Sequence, residues 1–579
     1  MVLVLFSWVI ICGASLLFGK AITDSVYGDY PEEMGRPDVY LVTGLVFLNI
    51  YAQLFSLFYK VAGIACTILG TAGIAVFAVG VYRRFYRKKD IRLFPGCAGK
   101  KISPWRIGAV ILCFALTLLW TLQIPGQYDT GLYHAQAIRW VEDYGVVPGL
   151  GNLHMRLAYN SAFMSLQALF SLGWIAGQSL HTLNGFFCLA ALVYVVSTVR
   201  LWGEKSLRVS DLLKCVMVVY VVQKAYDMSS SGTDIEAMLL ILYIFIKWSE
   251  FQENQWEDGL LYGWLCLVSV YAATVKLSAA CVAVLAFYPL YLFIKKKNGK
   301  AILAHVAGGL AILAPWLIRN VVISGYLVYP YASLDLFHPD WKMDREVLAS
   351  DSLDIRMFAR GIRSAAEYDN SLVGWVPRWF LSQGTDGRIV IAVGAVCIPL
   401  ILFLLVKSLR QKRYGLTALL SAAVINLIFW FFSAPHMRYG GSYIYVLVVI
   451  TLGIFAENAG GREPDREKES VRRTDGFARC RAAYEILLRT AAVLIVGAFM
   501  LQYGWKLTKM PAMESRTLLR QPDYLAWPAT QYPVDNVHIW MPDEGDLIGY
   551  FAFPATSQGK QLKVLRLRGE SFKEGFRHE

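Results

Sequence analysis

Apolar stretches of about 18 residues or more recur along this chain, separated by short polar turns. A run of that length with little charge suits a helix that crosses the hydrocarbon of a bilayer. The pattern predicts fourteen spans, at 1–18, 39–59, 61–82, 105–122, 181–202, 212–226, 235–249, 259–275, 277–294, 301–318, 389–407, 415–432, 441–456 and 486–503. The stretch 160–178 is also apolar, but polar turns flank it, and it reads as a re-entrant or interfacial helix. Beyond 504 the pattern changes. VHIWM, IGYFAF and LKVLRL have strand composition with turn residues between them. About 75 residues are few for a core of their own, so this tail is expected to dock on the membrane domain.

The expected fold is an all-α polytopic membrane protein of about fourteen helices. It carries interfacial helices in the first large outer loop and a small α/β tail. The chain divides into a three-helix region with its basic loop (1–104), a membrane core (105–456), a basic linker (457–485), a last span (486–503) and the tail (504–579). Composition agrees: 56% of the residues are hydrophobic and only 17% charged, against roughly 25% charged in soluble domains. The N-terminal MVLVLFSWVIICGASLLFG has no basic leader before its apolar run and reads as the first span.

The net charge of +13 does not point to nucleic acid, because the excess sits in short loops and no basic face with interleaved aromatics occurs. The loops 83–106, 203–214, 295–300, 407–415 and 461–481 are basic and fall on one side by alternation, which makes that side cytoplasmic. The residues 123–160, 227–234, 276, 319–388, 433–440 and the tail then face outward. Eight of the ten cysteines lie in apolar runs, and no CxxC is present. No Walker loop, GxGxxG or HExxH occurs, so nucleotide-driven and zinc-protease chemistry have no support.

Ionisable side chains gather where outward span ends meet water. YDTGLYH brings Asp129, Tyr133 and His134, and Arg156 lies further along the same loop. Asp227 and Asp234 bracket a polar turn, Lys276 sits where two spans meet, Arg319 follows PWLI, and His436 and Arg438 lie in HMRYGG. Such groups cost about 2.5–3.5 kcal/mol at a helix centre and usually pair, line a cavity or bind something. An acid among several cations suits a reaction that takes a proton from a hydroxyl and releases a phosphate. The paired glycines after Arg438 would let the backbone approach a ligand closely. Asp129 and His134 could hold a divalent cation, but His154 and His436 complete no ligand spacing, so no metal site is assigned.

The order of YDTGLYHAQAIRWVEDYGVVPGL, an acid, a tyrosine, a short amphipathic helix and a Pro-Gly break, resembles the first outer loop of the GT-C superfamily of membrane glycosyltransferases. PWLIRNVVISGYLVYP, HIWMPDEGDLIGYFAFPAT and LRLRGESFKEGFR resemble stretches in large bacterial envelope proteins of that type. The resemblance covers 105–456 and the tail. It implies an inverting transferase in a bacterial cytoplasmic membrane that moves a sugar from a polyprenyl-phosphate donor to an envelope glycan, lipid or protein. Asp129 would then be the base, with Asp234 and His134 positioning it and the phosphate-holding groups. Lys276, Arg319 and Arg438 would hold the donor phosphate, and Tyr133, Arg156 and His436 the acceptor. Many members of the branches that transfer mannose or aminoarabinose carry two adjacent acids, whereas Asp129 here precedes Thr130. Two alternatives stand beside this reading. One is a lipid-linked oligosaccharide polymerase or ligase using Arg438 and His436; the other is a flippase or transporter of envelope precursors.

Overall fold

The computed structural model describes residues 1–28, 32–85, 103–201, 207–458, 471–510 and 514–579. The stretches 86–102, 202–206 and 459–470, with Cys97, lie outside them. Three long helices lead: α1 (Val2–Tyr27), α2 (Pro37–Ser56) and α3 (Gly63–Phe85). Pro37 opens α2 where its missing N–H costs nothing. Gly19 and Gly44 let α1 and α2 touch, since a Cβ at either would fall within 2 Å of a backbone oxygen of the other helix. Then come α4 (Pro104–Thr121), the π-helical turn Thr130–His134, α5 (Ala135–Asp143) and the single turn α6 (Leu150–Leu153). The next elements are α7 (Ala162–Phe170), α8 (Gly173–Ala176), α9 (Leu183–Thr198), α10 (Val209–Gln223), α11 (Asp234–Glu253) and α12 (Gly259–Val275).

A 3-10 stretch, Leu277–Ala286, runs into α13 (Phe287–Lys295), and α14 (Gly299–Ser324) follows. Two short helices, α15 (Arg345–Arg360) and α16 (Leu372–Ser382), precede α17 (Thr385–Arg410), α18 (Tyr414–Ser433), α19 (Met437–Asn458) and α20 (Val471–Leu507). The tail holds α21 (Gly559–Leu562) and two antiparallel pairs. In the first, β1 (Ala529–Val534) pairs with β2 (Val537–Pro542), Gln531 opposite Trp540. In the second, β3 (Leu565–Leu567) pairs with β4 (Phe576–His578).

Each of the fourteen expected segments falls on helical structure, but among the described residues ten helices are long and apolar enough to cross a membrane. That is the pattern of a multi-pass membrane protein. The expected count of fourteen differs because α9, α10 and α12 have 16, 15 and 17 residues. They rise only about 23–26 Å at 1.5 Å per residue. The fourth, α11, carries Asp234, Glu236, Lys247, Glu250 and Glu253. The 160–178 stretch is two helices, α7 and α8, broken at Leu172 with φ of 49°. Every residue of α7 is buried.

The tail departs from expectation in one strand. VHIWM and LKVLRL contain β2 and β3, but IGYFAF forms no strand. Its carbonyls at Gly549 and Ala552 accept from the Gln136 amide, and those at Tyr550 and Phe551 from Arg139. Side chains of α5 thus take the places of a neighbouring strand. The tail has no separate core: Ile539, Leu565 and Phe576 share one apolar cluster with Trp140, Leu153 and Tyr326.

One end of the bundle, where α4, α12, α14 and α18 finish and α11 and α19 begin, carries the cavity described next. Near the other end lies a buried ion network. Lys247 reaches Asp38 and Glu250 at 3.3 Å each, Lys214 reaches Asp211 and Glu250 at 3.0 Å each, and Arg36 reaches Asp38 at 3.0 Å. The hydroxyls of Tyr243 and Tyr194 donate to Asp38 and Glu250. This network joins α2 to α10 and α11, so the leading helices belong to the core.

Candidate functional site

Four charged side chains far apart in sequence meet at the cavity end. Arg438, near the start of α19, donates from Nε to Asp234 Oδ2 at 2.7 Å and from Nη2 to Asp129. Lys276, whose extended backbone closes α12, pairs with the other oxygen of Asp234. Asp234 opens α11, where the helix dipole favours a carboxylate, and the Thr233 side chain before it makes no cap. Asp129 immediately precedes the π-helical turn, a rare element that concentrates at functional sites. Asp227, the other acid of that polar turn, pairs instead with Lys224 at 3.1 Å.

These groups line a cavity of about 800 Å³. Tyr133, Arg156, Asp129, Asp234, Lys276 and Arg438 form its polar part. Ile425, Ile428, Phe429 and Phe432 of α18 form an apolar wall. Arg319 and Arg356 also face it, so five cations and two carboxylates surround one space. Arg319 is 3% exposed. Its Nε donates to Asn160 Oδ1 at 2.9 Å and its Nη1 to Ser56 Oγ. Among the described residues, no carboxylate lies within ion-pair distance of Arg319, Arg156 or Arg356. A guanidinium held by neutral partners in a cavity has donors to spare for an anion.

Asn160 helps to fix Arg319. It adopts the left-handed conformation (φ 44°), which asparagine tolerates better than most residues. Its amide donates to Trp316 O and Asn320 Oδ1 while its oxygen accepts from Arg319. Asp351, fully buried behind the cavity wall, accepts from Tyr159 and Tyr329, each at 2.9 Å. Burial pushes its carboxyl above the usual range, with Arg156 opposing.

Burial alone would push Asp129 upward too. His134 and Arg438 outweigh it and hold the carboxyl below its usual range. His134 is 1% exposed, and neither ring nitrogen finds a partner among the described residues. Burial lowers it to about 4, with Asp129 opposing, so the ring is neutral at neutral pH. It lies beside the cavity without lining it, in edge contact with Tyr133. His436 also stays out of the lining. It stacks on Phe358, with ring centroids 5.0 Å apart, and accepts the Arg438 backbone N–H. Gly440 serves packing more than ligand approach, since a Cβ there would lie 2.1 Å from the Trp430 ring. Among the described residues, no group of three or more His, Cys, Asp or Glu side chains is placed to hold a metal.

The structure thus brings together Asp129, Tyr133, Arg156, Asp234, Lys276, Arg319 and Arg438 of the nine residues given a role from the sequence. It adds Asn160, Ser56 and Arg356, which carried no signal there. Residues 1–445 match the model of a family described as a domain of unknown function, DUF8201. The chain belongs to that family. The DUF8201 match takes in all three leading helices and every cavity residue named above, and it stops within α19, before the tail. Neither the curated proteins nor the solved structures contain a match to the chain.

Proposed function

We propose that this DUF8201 member is an inverting glycosyltransferase of GT-C type, moving a sugar from a polyprenyl-phosphate donor to an envelope glycan, lipid or protein. The reading places the cavity on the outer face of a bacterial cytoplasmic membrane, in a bundle of fourteen crossings. One observation carries it. A carboxylate, unpaired guanidinium groups and an apolar wall from a membrane-type helix share a single cavity. A lipid phosphate needs the last two, and a hydroxyl nucleophile needs the first.

In the reaction, the acceptor hydroxyl gives its proton to Asp129 while its oxygen attacks the anomeric carbon. The carbon–oxygen bond to phosphate breaks, and the phosphate leaves with the electron pair. Arg319, Lys276 and Arg438 stabilise the charge it gains. A single displacement inverts the anomeric centre. The pair with Arg438 weakens Asp129 as a base. An arriving phosphate competes for Arg438 and Lys276 and releases the carboxylate, so the base is freed where the donor is bound.

The test is mass spectrometry of lipid-linked and surface glycans from wild type, a deletion, and the deletion carrying Asp129→Asn. Loss of one sugar in the deletion, unrestored by a normally expressed Asn variant, is the expected result. Full restoration by that variant would remove Asp129 as the base.

A further inference from the structure

The tail reaches back to the residues that carry Asp129. The backbone N–H groups of Ile548 and Gly549 both donate to Gly131 O, at 3.0 and 2.8 Å. Asp546 accepts from the Tyr128 hydroxyl. Tail and loop then stay in step along α5. Gln136 bonds to Gly549 O and Ala552 O, Arg139 to Tyr550 O and Phe551 O, and Glu142 accepts from the Tyr550 hydroxyl at 2.7 Å. Asp129 therefore sits between two anchored residues, Tyr128 and Gly131.

Side-chain packing does not do this work alone. A cleft of about 170 Å³ lies between the two segments, bounded by Gln127, Thr130, Trp527 and Leu547 among others. Where the side chains of the two segments meet only in part, the directional bonds help set the position. Two amides converging on one carbonyl also suit a π-helical turn, whose backbone bonding is irregular. Gly549 is needed in this geometry: its φ is +65°, and a Cβ would lie 2.8 Å from Leu525 O.

We propose that residues 546–549 of the tail are positioning residues for Asp129, an inference that rests on Asp129 being the base. They touch neither substrate nor the cavity. They hold the carboxylate where Arg438 and an acceptor hydroxyl can both reach it. The segment lies beyond the DUF8201 match, so a part of the chain outside the family region would complete the family's site.

The experiment uses the full chain in lipid nanodiscs, as wild type, Asp546→Ala, Asp546→Asn and Gly549→Ala. The donor is the lipid-phosphate sugar extracted from the deletion strain. Hydrogen exchange of residues 126–136 is measured beside turnover. Asp546→Ala should speed exchange there and lower kcat roughly tenfold or more, the scale of a small misplacement, at unchanged donor KM. The acidic limb of its kcat/KM profile should move to higher pH, because a carboxylate drifting from Arg438 becomes easier to protonate. Asp546→Asn still offers an oxygen to Tyr128 and should behave as wild type. Gly549→Ala should show the larger effect. Unchanged exchange in both Asp546→Ala and Gly549→Ala overturns the proposal, as does faster exchange with wild-type kcat and pH profile. Absence of transfer by the wild type is a separate outcome: it overturns the transferase reading, and with it the proposal's claim on catalysis.

Discussion

The two ends of this bundle each bury a set of charges, and they use them differently. At one end Arg36, Lys214 and Lys247 each keep carboxylate partners, Asp38, Asp211 and Glu250 with Glu33 3.9 Å from Arg36, and they line no part of the cavity. At the other, five cations face two carboxylates around about 800 Å³ of space. Both sets are costly to bury. The fully paired set joins helices, whereas the cation-rich one has capacity left for a ligand. A buried charge therefore says little about function until its partners have been counted and the space beside it found.

The sharpest way to break this comparison is Asp129→Asn. Transfer should fall by about 10²–10⁴, the usual worth of a general base, with the thermal midpoint little changed. A glycan profile and a melting curve on the same preparation read both. At the opposite end the expectation reverses. Lys247→Met leaves Asp38 and Glu250 short of a partner and should cost about 3–5 kcal/mol of stability. Any protein that still folds should transfer normally. A Lys247→Met chain that is stable but inactive would erase the distinction between the two ends.

A finer probe is Arg319→Lys, which keeps the charge and loses the planar fork. One charged hydrogen bond is worth about 1.5–3 kcal/mol, so donor use should weaken roughly 10- to 100-fold, seen in kcat/KM. The smallest effect comes from pH. His134 and His154 are buried neutral, lowered by burial to about 4 and about 3, against about 6.5 when unfolded. Their contribution to stability is complete above pH 6.5 and is lost as pH falls toward 4. At pH 5 this amounts to about 2 kcal/mol for each. Hydrogen exchange corrected for intrinsic rate should therefore rise at the cavity end before it rises around Lys247, since among the described residues no histidine belongs to that network.

Much of this was legible in the chain. Apolar runs located the helices, because a span must satisfy its backbone internally and so writes itself as a continuous run. The ionisable residues at span ends located Asp129, Asp234, Lys276, Arg319 and Arg438, because charge beside apolar sequence is conspicuous. Their pairing was not legible: which cation keeps a partner and which is left without one depends on distances across five helices. Ser56 and Asn160, which hold Arg319, were invisible because neutral polar residues at helix ends are common and have many uses. IGYFAF was misread for a related reason. Strand composition predicts an extended backbone with hydrogen bonds to offer, but not whether a strand or the side chains of Gln136 and Arg139 will take them.

The contact between Tyr128 and Asp546 spans 418 positions of sequence. During synthesis, the turn that carries Asp129 emerges long before the residues that brace it. A ribosome adding about 5–20 residues per second leaves that turn unbraced for tens of seconds. A product that stops short of residue 546 could insert every helix and still never set its acid in place, so readiness to react would report that translation had run past that point.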